Sequence, residues 1–176
     1  MIRALILLGL LAVSCGSADT PSTPSPPPPI GDACLVGRWV ETKQYSPGKF
    51  GLDTGERFEV TGLEGLVITY SADGAETDDY SGAKPLNGGW RGNKIQVVIA
   101  GTITYQVHAE GGKIAQSKPV ASVTVAYYAN GSPLSGATGS FAPATIAYTC
   151  NGSFLHLETP PTKAGYGPQT DDLTRA

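Results

Sequence analysis

The sequence points to an all-β domain, an antiparallel up-and-down β-barrel of about eight strands. Three observations carry that expectation. From Asp32 to about Glu158, apolar and polar residues alternate and no helical period appears. Turn-forming pairs (Asp73-Gly74, Gly111-Gly112, Asn130-Gly131, Asn151-Gly152) recur between the alternating runs and suit tight hairpins. The connections are short, so neighbouring strands are mainly antiparallel, and closing such a sheet removes its exposed edges.

The first strand covers residues 37–45 (GRWVETKQY) and the second residues 65–71 (GLVITYS). Ala72-Asp73-Gly74-Ala75 then turns into a return strand over residues 76–81, and Asn87-Gly88-Gly89 marks the turn before Trp90. The longest signal is residues 94–108 (KIQVVIAGTITYQVH), with Ile95, Val97, Ile99, Ile103, Tyr105 and Val107 on one face. Gly101 interrupts this run at its middle and marks a bulge or bend of the kind that curls a sheet. Residues 113–117, 121–128 (after Pro119), 144–150 and 153–158 complete eight strands. Tyr127 and Tyr128 are adjacent on a strand, so they face opposite sides and one of them lies outside.

The 176 residues fit a single domain by length. Only 15% are charged and the net charge is −3, so there is no basic footprint for nucleic acid. Four segments follow from composition. Residues 1–14 read as a lipoprotein signal peptide: Arg3 supplies the positive start, and residues 4–13 form an apolar run too short to span a bilayer. Leu11-Ala12-Val13-Ser14-Cys15 resembles a bacterial lipobox, which makes Cys15 the lipidation site; the alternative is ordinary secretion with cleavage near Ala18. Residues 15–30 join the lipidated Cys to a proline-rich tether (GSADTPSTPSPPPPI), an extended spacer able to hold a domain up to ~45 Å from a membrane. Residues 31–159 are the barrel domain, and residues 160–176 read as a flexible polar tail.

Three cysteines are an odd number, which asks for an explanation in a secreted chain. With Cys15 lipidated, Cys34 and Cys150 remain at the two ends of the folded region, and an oxidising envelope lets them pair. A bridge closing so long a loop stabilises by ~4–5 kcal/mol in the chain-entropy model.

Two stretches carry a family resemblance. Cys34-Leu35-Val36-Gly37-Arg38-Trp39 resembles the Gly-x-Trp opening of lipocalin-like proteins, and Tyr148-Thr149-Cys150-Asn151-Gly152-Ser153-Phe154-Leu155 resembles the closing hairpin of bacterial lipocalin-like lipoproteins. The resemblance implies an eight-stranded up-and-down barrel, often with a cavity for an apolar ligand, in which Trp39 is a buried structural plug at one end. Tyr-x-Cys followed by Asn-Gly is also similar to a motif of small periplasmic lysozyme-inhibitor lipoproteins. There it opens the domain, whereas here it closes it, so no inhibitor residues carry over.

No catalytic constellation emerges. A Gly-x-Ser-x-Gly elbow and a helix to receive it are both missing, and no glycine-rich phosphate loop leads into Lys-Ser or Lys-Thr. His108 and His156 are the only histidines; their alternation lets one face solvent and one the core, without the neighbours a metal site needs. The acidic run Asp73 to Asp79 lacks the ligand spacing of a calcium loop and reads as a hairpin leading into a solvated acidic strand. Asn130-Gly131-Ser132 and Asn151-Gly152-Ser153 read as turns. The expectation is therefore a non-enzymatic, cofactor-free lipoprotein of the cell envelope. It would be anchored through its N-terminal lipid and bind a small apolar ligand or lipid. The alternative is a protein-interaction or inhibitor lipoprotein with a filled barrel core and an envelope protein as partner.

Overall fold

The computed structural model describes residues 30–48, 58–134, 141–161 and 167–176; the signal peptide, Cys15 and all of the proline-rich tether but Ile30 lie outside the described residues. Within them the chain forms β1 (Gly37–Gly48), β2 (Phe58–Gly62), β3 (Val67–Tyr70), β4 (Ala75–Asp79), β5 (Leu86–Trp90), β6 (Asn93–Glu110), β7 (Lys113–Ala129), β8 (Ser132–Pro133), β9 (Thr145–Cys150), β10 (Phe154–Thr159) and β11 (Gln169–Arg175). All belong to one antiparallel sheet. Strands β1, β3, β4, β6, β7, β9, β10 and β11 follow one another in chain order around a ring of eight, which β1 closes by pairing with β11.

Two long strands organise the ring. One edge of β1 pairs with β11 from Trp39 to Tyr45, while its other edge takes β3 at Gly37 to Val40 and β2 at Gln44 to Gly48. Likewise β6 pairs along its length with β7, and its other edge takes β5 at Asn93 to Val97 and β4 at Thr102 to Gln106. Because β2 pairs with β5 and β3 with β4, two short pairs fill one stretch of wall between the same two long strands.

The count of eight has a different composition from the one expected. Residues 113–117 and 121–128 belong to one strand, β7, and the eighth member of the ring is β11. Within the segment read as a flexible tail, Gln169–Arg175 are a strand: six residues of β11 pair with β1 and six with β10, and Leu173 is fully buried between them. The folded region also begins slightly earlier than expected, since Ile30 is buried and its N–H donates to Ala72 O.

The alternation on β6 is as expected: Ile95, Val97, Ile99, Ile103, Tyr105 and Val107 are all buried, and Ala109 extends the series. Gly101 holds the same inward phase and does not break it. Its role is close approach. With φ near +106°, a Cβ there would lie 2.0 Å from Ser122 O of β7. The bulge sits on β7 instead. Thr104 faces Val120 and Gln106 faces Ser117, so Lys118 and Pro119 together oppose Tyr105, with Lys118 at positive φ. Proline lacks the N–H that a regular ladder position would use, so it suits this bulge.

The expected turn at Asn87-Gly88-Gly89 is strand β5; the turn comes later, at Arg91-Gly92, both with positive φ. Gly88 is needed where β5 meets β2, because a Cβ would lie 2.2 Å from Glu59 O. A second bulge lies in β1. Glu41 pairs with Leu173 and Lys43 with Asp172, leaving Thr42 as the extra residue, its hydroxyl donating to Asp172 O. The slip reverses the facing of everything after it. Trp39 and Glu41 point inward before the bulge, Gln44 and Ser46 after it, and Lys43 stays outside.

Candidate functional site

One end of the ring is sealed. The segment before β1 folds over it, and Cys34 is bonded to Cys150 with Cα atoms 6.2 Å apart and 116 residues between them in sequence. Asp32 anchors the same segment, accepting from Cys34 N–H at 2.8 Å and from Tyr148 Oη–H at 2.8 Å. Trp39 lies beneath, 0% exposed, with Nε1–H donating to Leu35 O at 2.8 Å. The Arg175 guanidinium sits 4.3 Å from the Trp39 ring centroid. It also donates to three carbonyls: Gly152 O at 2.6 Å, Val36 O at 3.0 Å and Cys34 O at 2.6 Å. One cation thereby ties the first strand, the last hairpin and the disulfide together. By contrast Trp90, at the end of β5, is partly buried beside Arg91, whose guanidinium lies 5.0 Å from its ring centroid. Truncating Trp39 to Ala should therefore remove ~3–5 kcal/mol of stability, seen as a large drop in the urea midpoint. An unchanged midpoint would mean that the indole is not part of the seal.

The other functional feature is internal. A cavity of about 240 Å³ lies within the ring, and each of the eight ring strands contributes a side chain to it: Gln44, Ile68, Glu76, Ile99, Gln116, Ile146, Leu157 and Asp171 among others. Leu63, Leu66, Leu86 and Phe141 add apolar wall. The rest is acidic. Glu76 and Asp78, on the inner face of β4, are only 2% and 7% exposed, and Asp171 of β11 is 5% exposed. The acidic strand is therefore solvated only on its outer face. The pattern Ala-Glu-Thr-Asp-Asp alternates, and it is the Glu76–Asp78 parity that faces inward.

Hydrogen bonds hold these carboxyls in place. Ala144 N–H donates to Gln116 Oε1 at 3.2 Å, and Gln116 Nε2 donates to Glu76 Oε1 at 2.6 Å. Gln44 Nε2 donates to Asp171 Oδ1 at 2.6 Å, and Gln169 Nε2 reaches Asp171 Oδ2 at 3.2 Å. Burial drives the carboxyls toward their neutral forms. It raises Glu76 well above the usual range, with Asp78 adding to the rise, and the two carboxyls hydrogen-bond each other. Burial, then the charge of Asp171, pushes Asp78 up to about 7. Asp171 is pushed up to about 6 by burial, opposed by its two amide donors. Beside the cavity Glu41, also inward, is raised to about 10 by burial and by Asp171. Gln44 Oε1 is buried in the wall with no hydrogen-bond partner.

The histidines stay out of this site. His108 is exposed beside Glu110, and His156 lies on the outer face, its Nδ1 2.6 Å from Asp172 Oδ1, so neither takes the core position expected for one of them. Among the described residues no three His, Cys, Asp or Glu side chains converge as a metal site. Tyr127 is buried and Tyr128 partly exposed. Sequence reasoning missed Gln44, Glu76, Asp78, Gln116 and Asp171 as site residues. The only signal for them was a polar residue sharing strand parity with buried apolar ones.

Comparison with protein-family models, curated proteins and solved structures finds no match to this chain.

Proposed function

We propose that this chain is an envelope lipoprotein, anchored through Cys15, whose lipocalin-like barrel holds a small molecule without transforming it. The observation that carries this reading is the cavity of about 240 Å³ lined by all eight ring strands. A ring sealed at one end by Trp39, Arg175 and the Cys34–Cys150 bridge is a rigid cup, and rigid concave sites with a few convergent polar groups suit ligand binding. The bridge itself fits an oxidising compartment outside the cytoplasm. The size of the cavity, below the ~300–1,000 Å³ of drug-sized sites, disfavours a long acyl chain. Its mixed wall favours a ligand with a polar head over a wholly apolar one.

The alternative of a protein-interaction module draws support from β7. There Ser117 to Ser122 are exposed on both faces and Val120 is 68% exposed.

One experiment reads both halves of the leading proposal. Protein extracted from its own envelope is weighed under denaturing and then native conditions. The denatured mass should equal the chain from Cys15 onward plus two or three acyl chains, since a single chain anchors only weakly. The native mass should exceed the denatured mass by a small ligand. An unacylated Cys15 would overturn the anchor, and identical native and denatured masses would overturn the carrier.

A further inference from the structure

We propose that the ligand held in the cavity is a small aliphatic amine, its ammonium group received by Asp171 and Gln44 beside Asp78 and Glu76, and its carbon chain lying against Leu66, Ile99 and Leu157. This deepens the small-molecule reading above and rests on it.

Among its described lining residues the cavity has three carboxyls and no Lys, Arg or His; the other polar side chains are neutral amides and hydroxyls. Buried carboxyls usually have a charged or strongly donating partner, because an isolated one is costly to bury. Here the donors are three glutamine amides, of Gln44, Gln116 and Gln169, which hold the carboxyls in place without supplying a counter-charge. Gln44 is the independent witness. Its amide nitrogen is committed to Asp171, which fixes Oε1 as the atom left over, and that oxygen is buried in the cavity wall with no donor facing it. A native structure rarely leaves such an acceptor unpaired without a water, ion or ligand to fill it. An ammonium group brings three donors and no acceptor, the complement of this wall.

Two other ligand classes fit worse. An anion would face three carboxyls in the same wall and be repelled wherever one of them is ionised. A bound metal ion needs converging ligands, and the described carboxyls do not converge. The apolar part of the wall suits methylene groups, and a cavity of about 240 Å³, below the ~300–1,000 Å³ of drug-sized sites, suits a short chain.

Binding a cation here should depend on pH. Asp171 and Asp78 lose their protons at about 6 and about 7. The groups around them are Glu41 on β1, Tyr70 on β3, Glu76 on β4, Tyr80, Tyr105 on β6, and His156 and Asp172 behind Asp171. Of these only His156 is basic, and it lies on the outer face. An incoming ammonium therefore displaces protons, and affinity should rise from pH 5 to pH 8.

The test is calorimetry on the detergent-solubilised lipoprotein, cleared of endogenous ligand, with three probes of equal chain length: 1-aminopentane, 1-pentanol and pentanoate. The amine should bind and the other two should not, with affinity at least tenfold higher at pH 8 than at pH 5. Asp78→Asn with Asp171→Asn should weaken the amine at least tenfold. The urea midpoint of that double variant should not fall, because neutral amides relieve the burial of charge, so weaker binding would not reflect unfolding. Binding of the alcohol with a silent amine would overturn the amine assignment and leave the carrier reading intact, as would equal amine binding by the double variant. Silence of all three probes together with no ligand mass in the native protein would overturn both.

Discussion

The folded domain should become less stable as the pH rises from 5 to 8, the reverse of a protein held together by paired carboxylates. Asp78 and Asp171 titrate at about 7 and about 6 when folded, and Glu41 at about 10, with burial the leading cause in each case. Glu76 shifts in the same direction. In the unfolded chain all four lose their protons near the ordinary carboxyl range of about 4. Between those values the folded state binds more protons than the unfolded state, so stability falls with increasing pH. The stabilisation is fully present below about pH 4 and is lost as pH climbs through the folded values. Each unit separating folded from unfolded pKa corresponds to ~1.4 kcal/mol, so Asp171 and Asp78 alone lose on the order of 4 kcal/mol across this window, a large share of a typical domain stability of ~5–15 kcal/mol. Asp73 and Asp79, whose exposed carboxyls are held below the ordinary value by local hydrogen bonds, act in the opposite sense only at lower pH. Urea titrations at pH 5, 6, 7 and 8 check this. Asp78→Asn should flatten the profile and raise the midpoint at pH 8. A midpoint constant or rising with pH in the unsubstituted protein would show that these carboxyls are solvated. Such internal destabilisation is common where a site keeps polar groups for a ligand rather than for the fold.

A chain ending at Pro161 should fail to fold. Losing β11 leaves one edge of β1 unpaired from Trp39 to Tyr45 and one edge of β10 unpaired from Phe154 to Thr159, two open edges in a ring that otherwise closes. It removes the fully buried Leu173, worth ~1.5–3 kcal/mol. It also removes Arg175, exposing the Trp39 ring and freeing the carbonyls of Cys34, Val36 and Gly152. Together these losses are large against a typical domain stability of ~5–15 kcal/mol. Far-ultraviolet circular dichroism with a urea titration should show no cooperative transition in the truncated protein, and the open edges should make it aggregate. A transition like that of the full chain would mean that the last strand only decorates the ring.

These two expectations mark where sequence reading stops. The alternation of β6 was legible because it persists over 18 residues, far longer than chance, and because β-branched and aromatic residues mark its buried face. The hairpin turns at Gly74, Gly111-Gly112, Asn130-Gly131 and Gly152 were legible because few residues accept positive φ, a local steric fact. The Cys34–Cys150 pairing followed from the parity of three cysteines once Cys15 was set aside.

Only the tertiary structure could decide the rest. Alternation states which residues share a face, never which face is inside. That is why Glu76 and Asp78 read as solvated although the same parity turns inward. The Thr42 bulge then inverts parity within β1, so a straight reading would have put Lys43 where Gln44 belongs. Strand β11, Gln-Thr-Asp-Asp-Leu-Thr-Arg, has a single large apolar residue and no propensity of its own; it is a strand because β1 and β10 each offer it an edge. Local sterics and composition thus determined the all-β character, the turns and the staple. The closing strand and the acidic interior depend on contacts between residues far apart in the chain, and those contacts exist only once the ring has closed.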